Sequence, residues 1–116
     1  MQSDQGPKSN RRSNERVAIP PDAPVFLEVS FNELPAKLLI EDLSLGGALL
    51  ICPDIAESLD VGQSIPSVLI LPNGKVRVDA TVRWRLWPRV GVQFDGISSE
   101  DRAQIAQLIE SICAKV

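Results

Sequence analysis

The sequence predicts a mostly-β domain: a small six-stranded antiparallel split β-barrel with one C-terminal α-helix. Three observations carry this. From position 25 onward, short segments alternate apolar and polar residues; turn-forming residues separate them; and the apolar period lengthens from 2 to 3.6 only after Ser98. In the first strand, Val25, Leu27, Val29 and Phe31 alternate with Phe26, Glu28, Ser30 and Asn32. A second strand is expected over residues 37–43 and a third over 48–52, joined by a turn at Gly46-Gly47. Residues 54–62 read as a loop with room for one helical turn, leading to an apolar strand at 65–71. Pro72-Asn73-Gly74 is a hairpin signal, because Asn-Gly supplies the positive φ of a tight turn.

The strand after that hairpin is the most regular. Val76, Val78, Ala80, Val82, Trp84 and Leu86 are expected on one face, and Arg77, Asp79, Thr81, Arg83 and Arg85 on the other. Trp87-Pro88-Arg89 turns the chain into a last strand at 90–94. Ser98 or Ser99 then caps a helix whose first turn holds Glu100 and Asp101, where the helix dipole favours acids. Ile105, Leu108, Ile109 and Ile112 form its narrow apolar stripe, expected to cover one end of the barrel.

The 116 residues fit one domain. Residues 1–10 are polar and without periodicity and read as a flexible arm, leaving 11–116 as the folded unit. Three prolines in residues 17–24 exclude a central strand there and point to an extended connector. The net charge is −3, but Lys8, Arg11, Arg12 and Arg16 against Asp4 and Glu15 leave the first 16 residues at +2. No stretch approaches the roughly 18–20 apolar residues of a membrane span, and the N-terminus has no apolar signal core. A cytoplasmic protein without membrane insertion is the resulting expectation. Cys52 and Cys113 lie far apart among apolar residues and are expected to be free, buried thiols.

The chain contains neither histidine nor tyrosine. That removes the commonest general base, the commonest zinc ligand and every Ser-His or Cys-His arrangement. The acidic residues form no paired constellation, so the expectation is a binding protein, not an enzyme, with no metal or cofactor.

Two local patterns stand out. Arg12-Ser13-Asn14-Glu15-Arg16, preceded by Arg11, spaces two guanidinium groups four residues apart. Each is a planar fork that fits a phosphate or the O6/N7 edge of guanine, or stacks on a base. Asp42-Leu43-Ser44-Leu45-Gly46-Gly47 occupies the turn between two strands. Its Asp and Ser can hold the turn, its Asp can accept from the N1 and N2 donors of a guanine, and Gly46 or Gly47 can take positive φ. Taken singly, the first pattern is equally a solvated basic tail and the second an ordinary hairpin turn.

Together, R-x-x-x-R, about 25 residues, D-x-S-x-x-G, then strands and a short helix resemble the PilZ domain, the bacterial receptor module for cyclic di-GMP. The resemblance covers about residues 11–113 and includes the ending Val90-Gly91-Val92-Gln93-Phe94 before Ile97-Ser98-Ser99-Glu100-Asp101-Arg102. It implies that Arg12 and Arg16 clamp phosphates and guanine edges from the arm, with Arg11 as a further phosphate contact. Asp42 and Ser44 would hydrogen-bond the other guanine or its phosphate, and Gly46 and Gly47 would leave room for the ligand. Trp84 is a candidate for stacking on a base and Trp87 a lesser one, although alternation groups Trp84 with the core residues Ala80 and Val82. Arg83 and Arg85, on the opposite face, would extend a basic surface.

The resemblance further implies that ligand binding reorders the arm and that a downstream protein reads the change. The alternative is a protein-interaction module of the same fold that does not depend on the nucleotide. A single-stranded nucleic-acid platform is disfavoured, because most of the five aromatics alternate inward. One departure from the pattern is the connector 17–24, whose Pro20-Pro21 pair makes it look longer than usual.

Overall fold

The computed structural model describes residues 16–31 and 33–114, so Arg11, Arg12 and the arm lie outside the described residues. Seven strands and one helix follow in order: β1 (Val17–Ala18), β2 (Phe26–Phe31), β3 (Leu34–Leu43), β4 (Gly47–Ile51), β5 (Ser64–Leu71), β6 (Gly74–Leu86), β7 (Arg89–Asp95) and α1 (Ser99–Ala114). A single 3-10 turn, Ala56–Ser58, sits in the loop between β4 and β5.

Six strands close on themselves in the order β3-β2-β5-β6-β7-β4, with β4 returning to β3, and every pairing is antiparallel. Closure removes the unpaired edges that an open sheet of this size would carry. The seventh strand is the start of the proline connector: Val17 pairs with Leu43 and Ala18 with Asp42. The ladder ends there after Ile19 donates to the Glu41 carbonyl, since Pro20 and Pro21 have no N–H to offer.

Inward residues of all six barrel strands form one core in which Leu27, Ile40, Leu43, Leu50, Leu69, Val76, Val78, Val82 and Val90 are almost completely buried. The helix covers the end where β7 leaves the barrel. Ser98 Oγ accepts from the Asp101 N–H, so Ser98 is the N-cap, while Ile105, Leu108 and Ile109 are buried and Gln104 donates to the Asn73 carbonyl across the end. At the other end Ala56 of the 3-10 turn and Leu59 just after it are buried. Among the described residues no helix is long and apolar enough to cross a membrane.

Two interruptions of the ladders change which residues face out. On β3 the register with β4 shifts between Ile40 and Asp42, leaving Glu41 unpaired; Ile40 and Leu43 stay buried, and Glu41 and Asp42 are both half-exposed. On β6 the register with β7 shifts between Val82 and Trp84, leaving Arg83 unpaired. Each is a β-bulge, in which two residues oppose one and the alternation changes phase.

The expectation that Trp84 and Leu86 continue the inward face of β6 is therefore corrected. Trp84 pairs with Gly91 on the outer surface and is 43% exposed, and Leu86 is 75% exposed. Arg85 takes the inward phase instead, paired with the buried Val90, and its guanidinium donates to the carbonyls of Glu57 and Leu59, both at 2.7 Å. Trp87, expected in the turn, is also outward and donates from Nε1 to the Pro53 carbonyl.

Two smaller expectations also change. The β5–β6 turn has Pro72 and Asn73 as its two central residues, and the positive φ of 145° falls on Gly74, where the ladder resumes. Cys52 is buried as expected, but Cys113 is only half-buried.

Candidate functional site

Arg16, Ser44, Gly46, Gly47, Arg83 and Trp84 line a shallow groove of about 190 Å³ whose floor is Ala48, Gly91, Val92 and Gln93. The pairing register explains this assembly. Ala18, Asp42, Leu49, Gly91 and Trp84 follow one another across β1, β3, β4, β7 and β6 as one outward row, and Gly47, Gln93 and Thr81 form the next row. The groove runs across these strands, with Arg16 ahead of β1 at one side and Arg83 and Trp84 on β6 at the other.

The Asp42–Gly47 turn is held from within. Ser44 donates to the Gly47 carbonyl from its backbone N–H at 2.9 Å and from Oγ at 3.3 Å, and the Phe94 N–H donates to the Gly46 carbonyl. Ser44 is 9% exposed, so its hydroxyl spends its proton on the turn and retains only lone pairs for other partners. The expected positive φ at Gly46 or Gly47 is absent: among the described glycines only Gly62, Gly74 and Gly96 adopt it.

Gly47 is required for a different reason. A Cβ there would lie 2.2 Å from the Val92 carbonyl oxygen, so its missing side chain admits the neighbouring strand and not a ligand. Gly46 is the open position, with nothing within 4 Å of a Cβ built on it.

Asp42 lies outside the groove lining, although the bulge at Glu41 turns it to the same outer surface. Its neighbour Glu41 accepts from Arg89 Nε at 2.9 Å in an exposed ion pair. That hydrogen bond, the Glu41 charge and then the Asp42 charge hold the Arg89 guanidinium above its ordinary pKa.

At the far wall, Trp84 rests where Gly91 has no side chain; a Cβ on Gly91 would meet the indole Nε1 at 2.3 Å. Arg83 Nη1 donates to Gln93 Oε1 at 2.9 Å, Gln93 Nε2 donates to Asp95 Oδ1 at 3.1 Å, and Asp95 Oδ2 accepts from Thr81 Oγ1 at 2.9 Å. Sequence reasoning missed Gly91, Gln93 and this chain of contacts, because the bulge that brings them together leaves no local signature.

Among the described residues the lining therefore holds two arginines and no carboxylate, an electropositive strip on a chain of net charge −3. Among the described residues no group of three or more His, Cys, Asp or Glu side chains could hold a metal ion.

The fold is similar to solved structures from several bacteria. The K. pneumonia MrkH–c-di-GMP complex superposes with a TM-score of 0.75 at 18% identity, covering 90% of this chain and 52% of that one. The Bacillus subtilis inhibitor of motility MotI/DgrA gives 0.73 at 19% identity, covering 90% and 52%. The c-di-GMP-bound PilZ domain of Escherichia coli YcgR gives 0.68 at 24% identity, covering 90% and 93%. At these identities the likeness is one of fold. The chain spans about half the length of the first solved structures it matches, 51%, 52% and 47%. Comparison with curated proteins returned no match. The sequence itself matches the PilZ domain over residues 10–111, so the chain belongs to the PilZ domain family.

Proposed function

We propose that the chain is a receptor that binds cyclic di-GMP across the β3–β4–β7–β6 surface without chemically changing it. The observation that carries this reading is the meeting of the two sequence motifs in one groove: Arg16 from the first and Ser44, Gly46 and Gly47 from the second line a strip free of carboxylates among the described residues. MrkH and YcgR, which share the fold, have been solved with c-di-GMP. A dianionic ligand fits such a strip because guanidinium forks pair bidentately with phosphate oxygens.

In this reading Arg12 and Arg16 hold phosphates and guanine edges, with Arg11 as an added phosphate contact. Asp42 accepts from the N1 and N2 donors of one guanine, Ser44 accepts through its free lone pairs, Gly46 lets the ligand close on the backbone, and Trp84 stacks on a base. Asp42 and Trp84 lie three strand spacings apart along one row, about 14 Å at roughly 4.8 Å per strand. The groove of about 190 Å³ is smaller than a typical ligand site of about 300–1,000 Å³, and in this reading Arg11 and Arg12 add further contacts to the ligand. Drawing the segment that bears them onto the barrel couples occupancy to a change that a downstream protein reads.

Calorimetric titration tests the reading. Low- to sub-micromolar affinity is expected, about 8–9 kcal/mol. Arg16→Ala should lose roughly 10- to 100-fold, the worth of a charged hydrogen bond of about 1.5–3 kcal/mol, with no change in melting temperature. Absence of heat at tens of micromolar ligand, or unchanged binding by Arg16→Ala, overturns it. The nucleotide-independent alternative draws on the exposed Leu86 and Trp87 at the β6–β7 turn, away from the groove; a partner set indifferent to the nucleotide would favour it.

A further inference from the structure

We infer that Arg83 is a further anion-binding residue of this groove, held by Gln93 beside the Trp84 that the β6 bulge turns outward, and that with Arg16 it selects ligands carrying two phosphates over those carrying one. The inference rests on the receptor reading above and adds a residue and a selectivity to it.

Arg83 is the residue left unpaired by the register shift between Val82 and Trp84. In an uninterrupted strand, Arg83 and Trp84 would point to opposite faces; the bulge turns both outward, side by side, onto the same groove. Bulges concentrate beside binding sites because they re-aim a side chain in this way.

The guanidinium is also oriented. Nη1 is committed to Gln93, whose amide is in turn fixed by Asp95, and Asp95 is fixed by Thr81. Gln93 is neutral, so it orients the fork without cancelling its charge, and the remaining N–H donors have no partner among the described residues. The Arg85 guanidinium, two residues on, is occupied by two backbone carbonyls and offers no such group to the groove.

The placement carries the selectivity. Arg16, ahead of β1, and Arg83, on β6, enter the same groove of about 190 Å³ from its two sides. Between them the groove is lined by Gly47, Ala48, Gly91 and Val92, none of them charged. A ligand with one phosphate satisfies one wall at a time, whereas a cyclic dinucleotide presents a phosphate to each.

The test is titration of the full chain with cyclic di-GMP and with GMP at several salt concentrations, for the wild type, Arg83→Ala, Arg83→Lys and Gln93→Leu. Arg83→Ala is expected to weaken cyclic di-GMP binding about tenfold or more. It should also flatten the salt dependence and narrow the preference over GMP, while the circular dichroism melt stays unchanged. Arg83→Lys should keep the salt dependence and recover part of the affinity, since charge remains without the fork. Gln93→Leu should weaken binding by a smaller factor with the salt dependence kept, the signature of a positioning residue. If the wild type binds and Arg83→Ala matches it in affinity, salt dependence and selectivity, this inference falls alone. If the wild type binds no cyclic di-GMP, the receptor reading falls and takes this inference with it.

Discussion

The barrel wall has a regular side and an interrupted side, and they differ in chemistry. On the regular side the β2–β3, β2–β5 and β5–β6 ladders run without a register shift. Inward Leu27, Val29, Leu69, Val76 and Val78 are buried, and the outward row Lys37, Glu28, Val68, Arg77 mixes charges of both signs. A concavity of about 390 Å³ lies there, larger than the groove but lined by Glu28 and Asp79 as well as Arg77. On the interrupted side, bulges at Glu41 and Arg83 break the alternation, and among the described residues the charged groups lining the groove are both arginines. The regular side spends its residues on packing and solvation. The interrupted side gives up two ladder positions and gains adjacent outward side chains, which a pleated strand cannot otherwise present.

The largest effect expected is on the regular side. Leu69 is fully buried, and Leu69→Ala should cost about 2–5 kcal/mol in urea unfolding while the folded protein keeps its nucleotide affinity. A loss of affinity beyond the unfolded fraction would break the separation between the two sides. Next come the paired glycines of the turn. Gly47→Ala drives a Cβ into the Val92 carbonyl and should cost about 1–3 kcal/mol, whereas Gly46→Ala should leave stability within about 0.5 kcal/mol. Equal costs would show that the turn, and not the β4–β7 approach, sets the need for glycine.

Gly91→Ala sharpens the comparison further. The added methyl displaces an indole that is already 43% exposed, so about 1 kcal/mol or less of stability is at stake. In a Trp87→Phe background, the emission of Trp84 should shift to the red as the ring leaves the groove; an unshifted spectrum would show that Gly91 does not seat it.

The smallest effect concerns the thiols. Burial pushes Cys52 up from 9.0 to about 11. The folded state therefore holds its proton above the pH at which the unfolded chain releases it, and stability falls as pH rises from 9 towards 11. Urea midpoints of the wild type should decline more steeply over that range than those of Cys52→Ala, and Cys113 should react with a thiol reagent first at pH 8. Parallel declines would remove Cys52 from the alkaline transition.

What was legible in the sequence follows the same division. The alternation in β2 and in the first half of β6 marked Leu27, Val29, Val76, Val78 and Ala80 as core. The 3.6 period marked the buried face of α1, and the prolines marked an extended connector at 17–24, whose first two residues only the structure adds to the sheet as β1. The motifs Arg16 and Asp42–Gly47 were visible as residue types at fixed spacing. Their convergence was not, because it depends on β4 pairing with both β3 and β7.

By itself, then, the sequence determined the barrel-and-helix fold, its periodic core and the family, since periodicity, turn chemistry and motif spacing are local or nearly so. Only the tertiary structure decided that Trp84 faces out, that Gly47 serves the β4–β7 approach while Gly46 stays open, and that Arg83 and Gln93 belong to the groove. The physical reason is register. A bulge moves one residue in one strand and reverses the facing of those beyond it, and cross-strand pairing, which no residue encodes alone, sets where it falls.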